Sequence, residues 1–196
     1  MTNDVFEVFV STTIDSLNKS LFQVSSVYPA NYKFLTFDTI FEWIVSNCEF
    51  VKNYVYDPHG SVWDINFRIN NFIECLFILE AISYYHNCGE FLEDNFTDMV
   101  FSRLGSISRV LSHKGTEYQS DKNSNRFQNF IDLSDFEDVP SPEILWGMAR
   151  KHLWSVIEIV KFKKKFKKEF ISEKFGDLIN YLILLNAMLF EQNERC

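Results

Sequence analysis

SEKFGDLINYLILLNAMLF, residues 172–190, decides the fold. Phe175, Leu178, Ile179, Leu182, Leu185 and Leu189 recur at three- and four-residue spacing, the period of an α-helix. Apolar side chains occur almost all round this segment, so it is expected to be the central helix of a bundle. Upstream, Ser141-Pro142-Glu143 is the clearest helix start in the chain. It offers a capping hydroxyl, a proline in the first turn and an acid near the positive end of the helix dipole. That helix is expected to reach Phe162, and the last one to open at Ser172-Glu173.

Towards the N-terminus the same period recurs. Asp4 to Val24 is ambiguous, because VFEVFV is also β-rich, but Val5, Phe6, Phe9, Val10, Ile14, Leu17 and Leu21 fall on one helical stripe. Tyr28-Pro29-Ala30-Asn31 reads as a turn. A second helix is expected from Phe37 to Tyr54, capped by Thr36 and ended by Asp57-Pro58-His59-Gly60. Ser61 caps a third, carrying Trp63, that runs to His86 and closes at Asn87-Cys88-Gly89. A fourth spans Glu93 to Ser112. From His113 the polar stretch HKGTEYQSDKNSNR reads as a loop, followed by a short apolar stretch from Phe127 to Leu133 and the acidic Asp135, Glu137 and Asp138. The expected fold is therefore all-α, a helical bundle of about six helices in one compact unit. Residues 1–104 form an N-terminal region of unassigned role, and residues 105–196 a C-terminal region that holds the candidate site.

Composition narrows the function classes. With 196 residues the chain can bury a sizeable core without staples, and 21 phenylalanines beside only six glycines and four prolines fit a helical interior with short connections. Four cysteines (Cys48, Cys75, Cys88, Cys196) form no C-x-x-C pair and have no zinc-type histidine spacing, so buried thiols are expected. MTNDVFEVFV lacks the basic and apolar regions of a signal peptide, and no window of about 18 apolar residues exists to span a bilayer. A cytoplasmic protein is expected, in the host cytoplasm if phage-encoded. The formal charge is −8; taking away the six lysines between Lys161 and Lys168 leaves −14 on the remainder. Such an acidic body does not attract nucleic acid unaided.

The residues that a plain core would not need stand in four pieces: Lys114-Gly115-Thr116-Glu117-Tyr118, Arg126-Phe127-Gln128-Asn129-Phe130, Trp146 through His152, and Glu173 through Tyr181. In the last piece Glu173, Asp177 and Asn180 lie at i, i+4 and i+7 on one helical face. Asp177 and Asn180 interrupt an apolar helix, which is costly unless they are paired, metal-bound or facing a cleft.

The ordered series K-x-x-E-Y, R-F-x-N-F, G-M-x-x-K-H and E-K-x-G-D-x-x-N-Y-x-x-L-L resembles a group of small phage and bacterial helical proteins. These are related to the nucleotide-modification-associated domains and, more distantly, to MazG-like all-α nucleotide pyrophosphohydrolases. The resemblance covers residues 105–192. It implies a nucleotide site, and in the MazG-like case a Mg²⁺ held by an E-E-x-x-E motif and an E-x-x-D motif on two helices, where clustered acids neutralise the triphosphate and activate water. Asp177 matches the final aspartate, with Glu173 as the nearest further metal ligand. Lys174 stands three residues before Asp177 where the motif has an acid, and Glu173 is turned about 100° from that position. The preceding helix offers Arg150, Lys151 and His152, and its two acids, Glu143 and Glu158, are fifteen residues apart.

Three readings follow. In the first, Lys114, Arg126, Lys151 and His152 hold the phosphates of a nucleotide or modified nucleotide, Tyr118 or Phe127 stacks on the base, Asp177 and Asn180 read sugar hydroxyls or base edges, and Asn129 is a further nucleotide-binding residue, in a cleft between the 113–130 loop and the last two long helices. In the second the chain is a Mg²⁺-dependent nucleoside triphosphate pyrophosphohydrolase. In the third it is a non-enzymatic protein-interaction module that inhibits a host factor through its acidic surface. Each residue also has a plainer reading. Asp177 and Asn180 can bond Lys151 and backbone to fix helix register, His152 can be a satisfied core histidine, and Lys114 and Arg126 can be solvated charges. Trp146 and Trp154 are expected in the core. Phe162, Phe166 and Phe170, at i, i+4 and i+8, are expected to pack inward along a basic helix whose lysines offset a helix C-terminus. Bundles of this kind often form homo-oligomers.

Overall fold

The computed structural model describes residues 1–27, 37–88, 96–117, 125–161 and 164–194, and for 22–27, 37, 88, 113–117 and 194 the backbone alone. Seven helices and no strand occur among the described residues: α1 (Asn3–Val27), α2 (Phe37–Tyr56), α3 (Val62–Cys88), α4 (Phe96–Glu117), α5 (Gln128–Glu137), α6 (Ser141–Val160) and α7 (Lys168–Glu194). The fold is an all-α bundle, as the periodicity predicts. The seventh helix is α5, which grows from the short apolar stretch after Arg126. The expected turn at 28–31, the Thr36 cap, Gly89 and the loop residues 118–124 lie outside the described residues.

The bundle is built on α3 and α7, each 27 residues long. They pack on one another, α2 and α6 flank them, and α1 packs on α4 and α7. In α7 the side chains of Ile171, Phe175, Leu178, Ile179, Leu182, Ile183 and Leu185 are all fully buried, which is the fate expected of a helix apolar all round. The same holds for Ile65, Ile69, Phe72, Ile73, Leu76 and Phe77 of α3. A polar contact also joins these two helices within this largely apolar seam. Asn186, 1 % exposed, donates from Nδ2 to Asn66 Oδ1 at 2.6 Å.

Local signals set most of the helix ends. Ser61 Oγ accepts from the Trp63 N–H at 3.1 Å and caps α3, while Gly60 takes the positive φ of 133° that the turn before it requires. At the start of α6 the cap falls one residue earlier than expected. Pro140, extended at ψ 137°, is the N-cap and offers no side-chain acceptor, so Ser141 and Pro142 open the helix itself. Helix α4 continues five residues into the expected loop, to Glu117; lengthening a formed helix by little more than one turn costs little even through Gly115.

Three expectations about the C-terminal half are corrected. Helix α7 opens at Lys168 and not at Ser172, because the Ser172 hydroxyl accepts a bond from Arg103 and is not spent on a cap. The lysine run is not one continuous helix: α6 ends at Val160, and residues 165–167 are non-helical before α7 begins. Phe166 packs against the core and stacks on Phe170 with centroids 5.3 Å apart, but Phe170 is itself exposed and does not pack inward, and Phe162 lies outside the described residues. Trp154 is 62 % exposed, whereas Trp146 is 1 % exposed. Eight residues of α-helix turn the second indole about 80° from the first, off the face of Leu145, Ala149 and Val156 that meets the core.

The lysines do offset a helix terminus. Lys165 donates to the His86 carbonyl in the last turn of α3, and the Asn87 side chain accepts from the Phe166 N–H at 3.0 Å. No helix of the described residues is long and apolar enough to cross a membrane.

Candidate functional site on the α6 and α7 helices

Helix α7 folds back along α6 and brings His152 against one stripe of α7. The His152 imidazole stacks on Tyr181 at 4.9 Å between centroids with planes 23° apart. Its Nδ1 lies 3.4 Å from Asp177 Oδ2. Asp177 and Tyr181 are one helical turn apart, so one ring is gripped from two points of the same face. Asp177 is 32 % exposed and His152 19 %, which leaves the pair at a half-open surface and not in the sealed core.

Lys174, one turn before Asp177, completes the stripe. Its ammonium bonds Glu173 at 2.5 Å and sits 5.2 Å from the Phe170 ring centre. The Glu173 hydrogen bond raises its pKa, with Asp177 adding to the same direction. Next to this stripe, Asn180 is half-buried, and its buried Oδ1 has no hydrogen-bond partner among the described residues. A buried amide oxygen without a donor is costly.

Of the residues singled out in the sequence, the structure brings together His152 and Asp177, with Asn180 on the next turn. Lys151 is exposed and lies about 100° round α6 from His152, so it flanks the pair and does not point into it. Asn129 is exposed on α5. Arg126 is an internal strut. Its guanidinium donates to the Leu111 carbonyl and lies 4.5 Å from the Phe6 ring centre, and its backbone N–H bonds the Met1 carbonyl at 3.0 Å. Burial pushes its pKa down. Phe127, 1 % exposed, meets Phe6 edge to face and is core rather than a stacking platform. The side chains of Lys114 and Tyr118 lie outside the described residues.

The two carboxylates proposed for Mg²⁺ already have partners. Glu173 is taken up by Lys174, Asp177 by His152, and no group of three metal-ligating residues exists among the described residues. A hard divalent cation asks for several oxygen ligands, and at this face the described residues offer two carboxylates, one paired with Lys174 and one beside His152.

Sequence reasoning missed Lys174 and Tyr181, although both follow from the i−3 and i+4 neighbours of Asp177. It also missed a second polar centre directly behind the stripe. Glu80 of α3 is fully buried and accepts from Tyr84 Oη at 2.6 Å and from both Nε (3.2 Å) and Nη2 of Arg103. The same guanidinium donates to Ser172 Oγ at 2.8 Å, tying α3, α4 and α7 together. Burial, outweighing Arg103, pushes the Glu80 carboxyl up, and it raises Tyr84 as well. Gly176 makes room for this: a Cβ there would stand 2.9 Å from Arg103 Nη1. The sequence signal was a lone acid inside the apolar run LFILEAIS, residues 76–83. Comparison with family models, curated proteins and solved structures finds no match.

Proposed function

We propose that this chain binds a nucleotide or modified nucleotide on the α6–α7 face, as a cytoplasmic, phage-type protein of nucleotide metabolism or defence signalling. The observation that carries the reading is the His152 ring, gripped between the Asp177 carboxylate and the Tyr181 ring at a half-open surface. The His152 imidazole and the Lys174 ammonium stand on neighbouring turns as donors for phosphate oxygens. Lys151 adds charge at the rim. The buried Asn180 Oδ1 has no partner among the described residues, and a turn of its side chain outward lets it accept from an exocyclic amine or a sugar hydroxyl, the type of group that distinguishes one nucleotide from another. Binding of this kind needs no metal, and the paired state of Glu173 and Asp177 favours it over Mg²⁺-dependent pyrophosphate release.

A thermal-shift screen over nucleoside mono-, di- and triphosphates, with Mg²⁺ and with chelator, tests the reading. A ligand at about 100 times its Kd adds about 2.7 kcal/mol to the folded state, a readily measured rise in Tm. At least one nucleotide is expected to raise Tm equally with and without Mg²⁺, and Asp177→Asn and Asn180→Ala to abolish the rise while leaving the unliganded Tm within a few degrees. A flat response across the panel refutes nucleotide binding. A rise that requires Mg²⁺, accompanied by pyrophosphate release, would favour the hydrolase instead.

A further inference from the structure

Helix α5 is an oddity in a well-packed bundle. None of its ten residues is buried, and Phe136 near its end is 83 % exposed. Around that ring stand Asp132, Asp135, Glu137 and Asp138, all exposed, and residues 128–138 contain no base. Four like charges crowded on one short helix repel one another and complement a surface of the opposite sign.

A surface of the complementary kind exists on the same chain. The link between α6 and α7 presents Lys164, Lys165 and Lys167 to solvent, and Phe170, 39 % exposed, stands beside it. Helix α5 packs at the start of α6, and the link follows its end. The 20 residues of α6 separate the two by about 30 Å, roughly three screening lengths at 0.1 M salt. One molecule therefore cannot neutralise its own ends.

We propose that copies of this chain associate head to tail, the acidic, phenylalanine-tipped α5 of one docking on the lysine-rich α6–α7 link of the next. The contact is heterologous, so it grows into chains or closes into rings rather than stopping at a two-fold dimer. The aromatic column of the link also argues for a protein partner over a single-stranded nucleic acid. Lys164 lies 5.0 Å from the Phe166 ring centre and Lys174 5.2 Å from that of Phe170, so both outer faces are covered by ammonium groups and closed to stacking bases. Ring edges remain for an incoming phenylalanine, in the edge-to-face geometry aromatics favour.

Sedimentation velocity of the full chain tests this. At about 0.01 M salt, where screening extends about 30 Å, species larger than the 23.2 kDa monomer are expected to grow with concentration, and at 1 M salt, where it shrinks to about 3 Å, they are expected to vanish. Asp135→Lys with Glu137→Lys, or Lys164→Glu with Lys167→Glu, should each leave a monomer at low salt. Mixing the two double variants should restore association, because each supplies the intact end that the other lacks. A wild-type monomer at every salt and concentration overturns the proposal, as does association that survives either charge reversal. Retention of a monomeric wild type on anionic vesicles or polynucleotide, lost with the lysine reversal, would overturn it in favour of a foreign polyanion.

Discussion

Adding one methyl group at Gly176 tests the polar centre behind the candidate site. In a helix interior Gly→Ala normally stabilises by about 0.5–1 kcal/mol, because glycine loses more backbone freedom on folding. Here the new Cβ would stand 2.9 Å from Arg103 Nη1, about 0.5 Å inside ordinary contact. The guanidinium is the far end of a flexible side chain, but Glu80 and Ser172 hold it in place. Retreat by that distance stretches its 2.8 Å bond to Ser172 and misaligns the fork on Glu80. A hydrogen bond to a charged group contributes roughly 1.5–3 kcal/mol, so losing one outweighs the helix gain and leaves Gly176→Ala destabilising by about 1–2 kcal/mol. In a Glu80→Leu/Arg103→Met background the obstacle is gone. Replacing both partners of a buried ion pair is itself close to neutral, and there the same alanine should stabilise by about 0.5–1 kcal/mol. Urea denaturation of the four proteins gives the cycle, with a constant slope required for each comparison. A wild-type background in which the alanine stabilises, or equal effects in both backgrounds, refutes the coupling.

Three further outcomes follow from single side chains. Burial raises the Glu74 carboxyl above its ordinary 4.5, against the opposing bond from Ser20; a carboxyl raised on folding binds its proton more tightly in the native state, so its contribution is greatest at low pH and is lost as pH climbs from 4.5 through the raised value, and Glu74→Gln should flatten that part of a stability–pH curve. The Cys48 thiol is pushed up to about 11 and Cys75 to about 12 by burial, so mass spectrometry after alkylation near neutral pH should find both unmodified until denaturant is added. Asp138, the helix-ending residue of α5, holds φ 53°, and Asp138→Gly should raise stability by about 0.5–1 kcal/mol in thermal unfolding by relieving a left-handed conformation that side chains resist.

The helical period was enough to read the fold because it is written by many residues at once. Leu178, Ile179 and Leu182 repeat the same statement, and a single Gly or Lys does not overturn it. Signals that rest on one residue fared differently. Ser172 looks like an N-cap until Arg103, 69 positions earlier, claims its hydroxyl. Trp154 looks like core because tryptophan is apolar, while its angle on α6 sends it to solvent beside Lys161. Half of the candidate site was legible for the same reason. Asp177 and Asn180 are conspicuous in an apolar helix, and His152 stands in the helix before it, but their grouping depends on how α6 rotates against α7. Arg126 shows the reverse case: a loop cation by sequence, it is drawn inside by Phe6 and the Leu111 carbonyl.

The bond between Asn66 and Asn186 carries a consequence for how the bundle finds its one arrangement. Two long rods greasy on every side can slide past each other by a turn, or roll, and still bury nearly equal hydrocarbon. Only one alignment sets amide against amide, and every other leaves the buried Asn186 amide without that partner. The pair works as the notch on a key. Because Asp177 and Tyr181 ride on the notched rod, two asparagines far from His152 help decide whether that imidazole meets its partners at all.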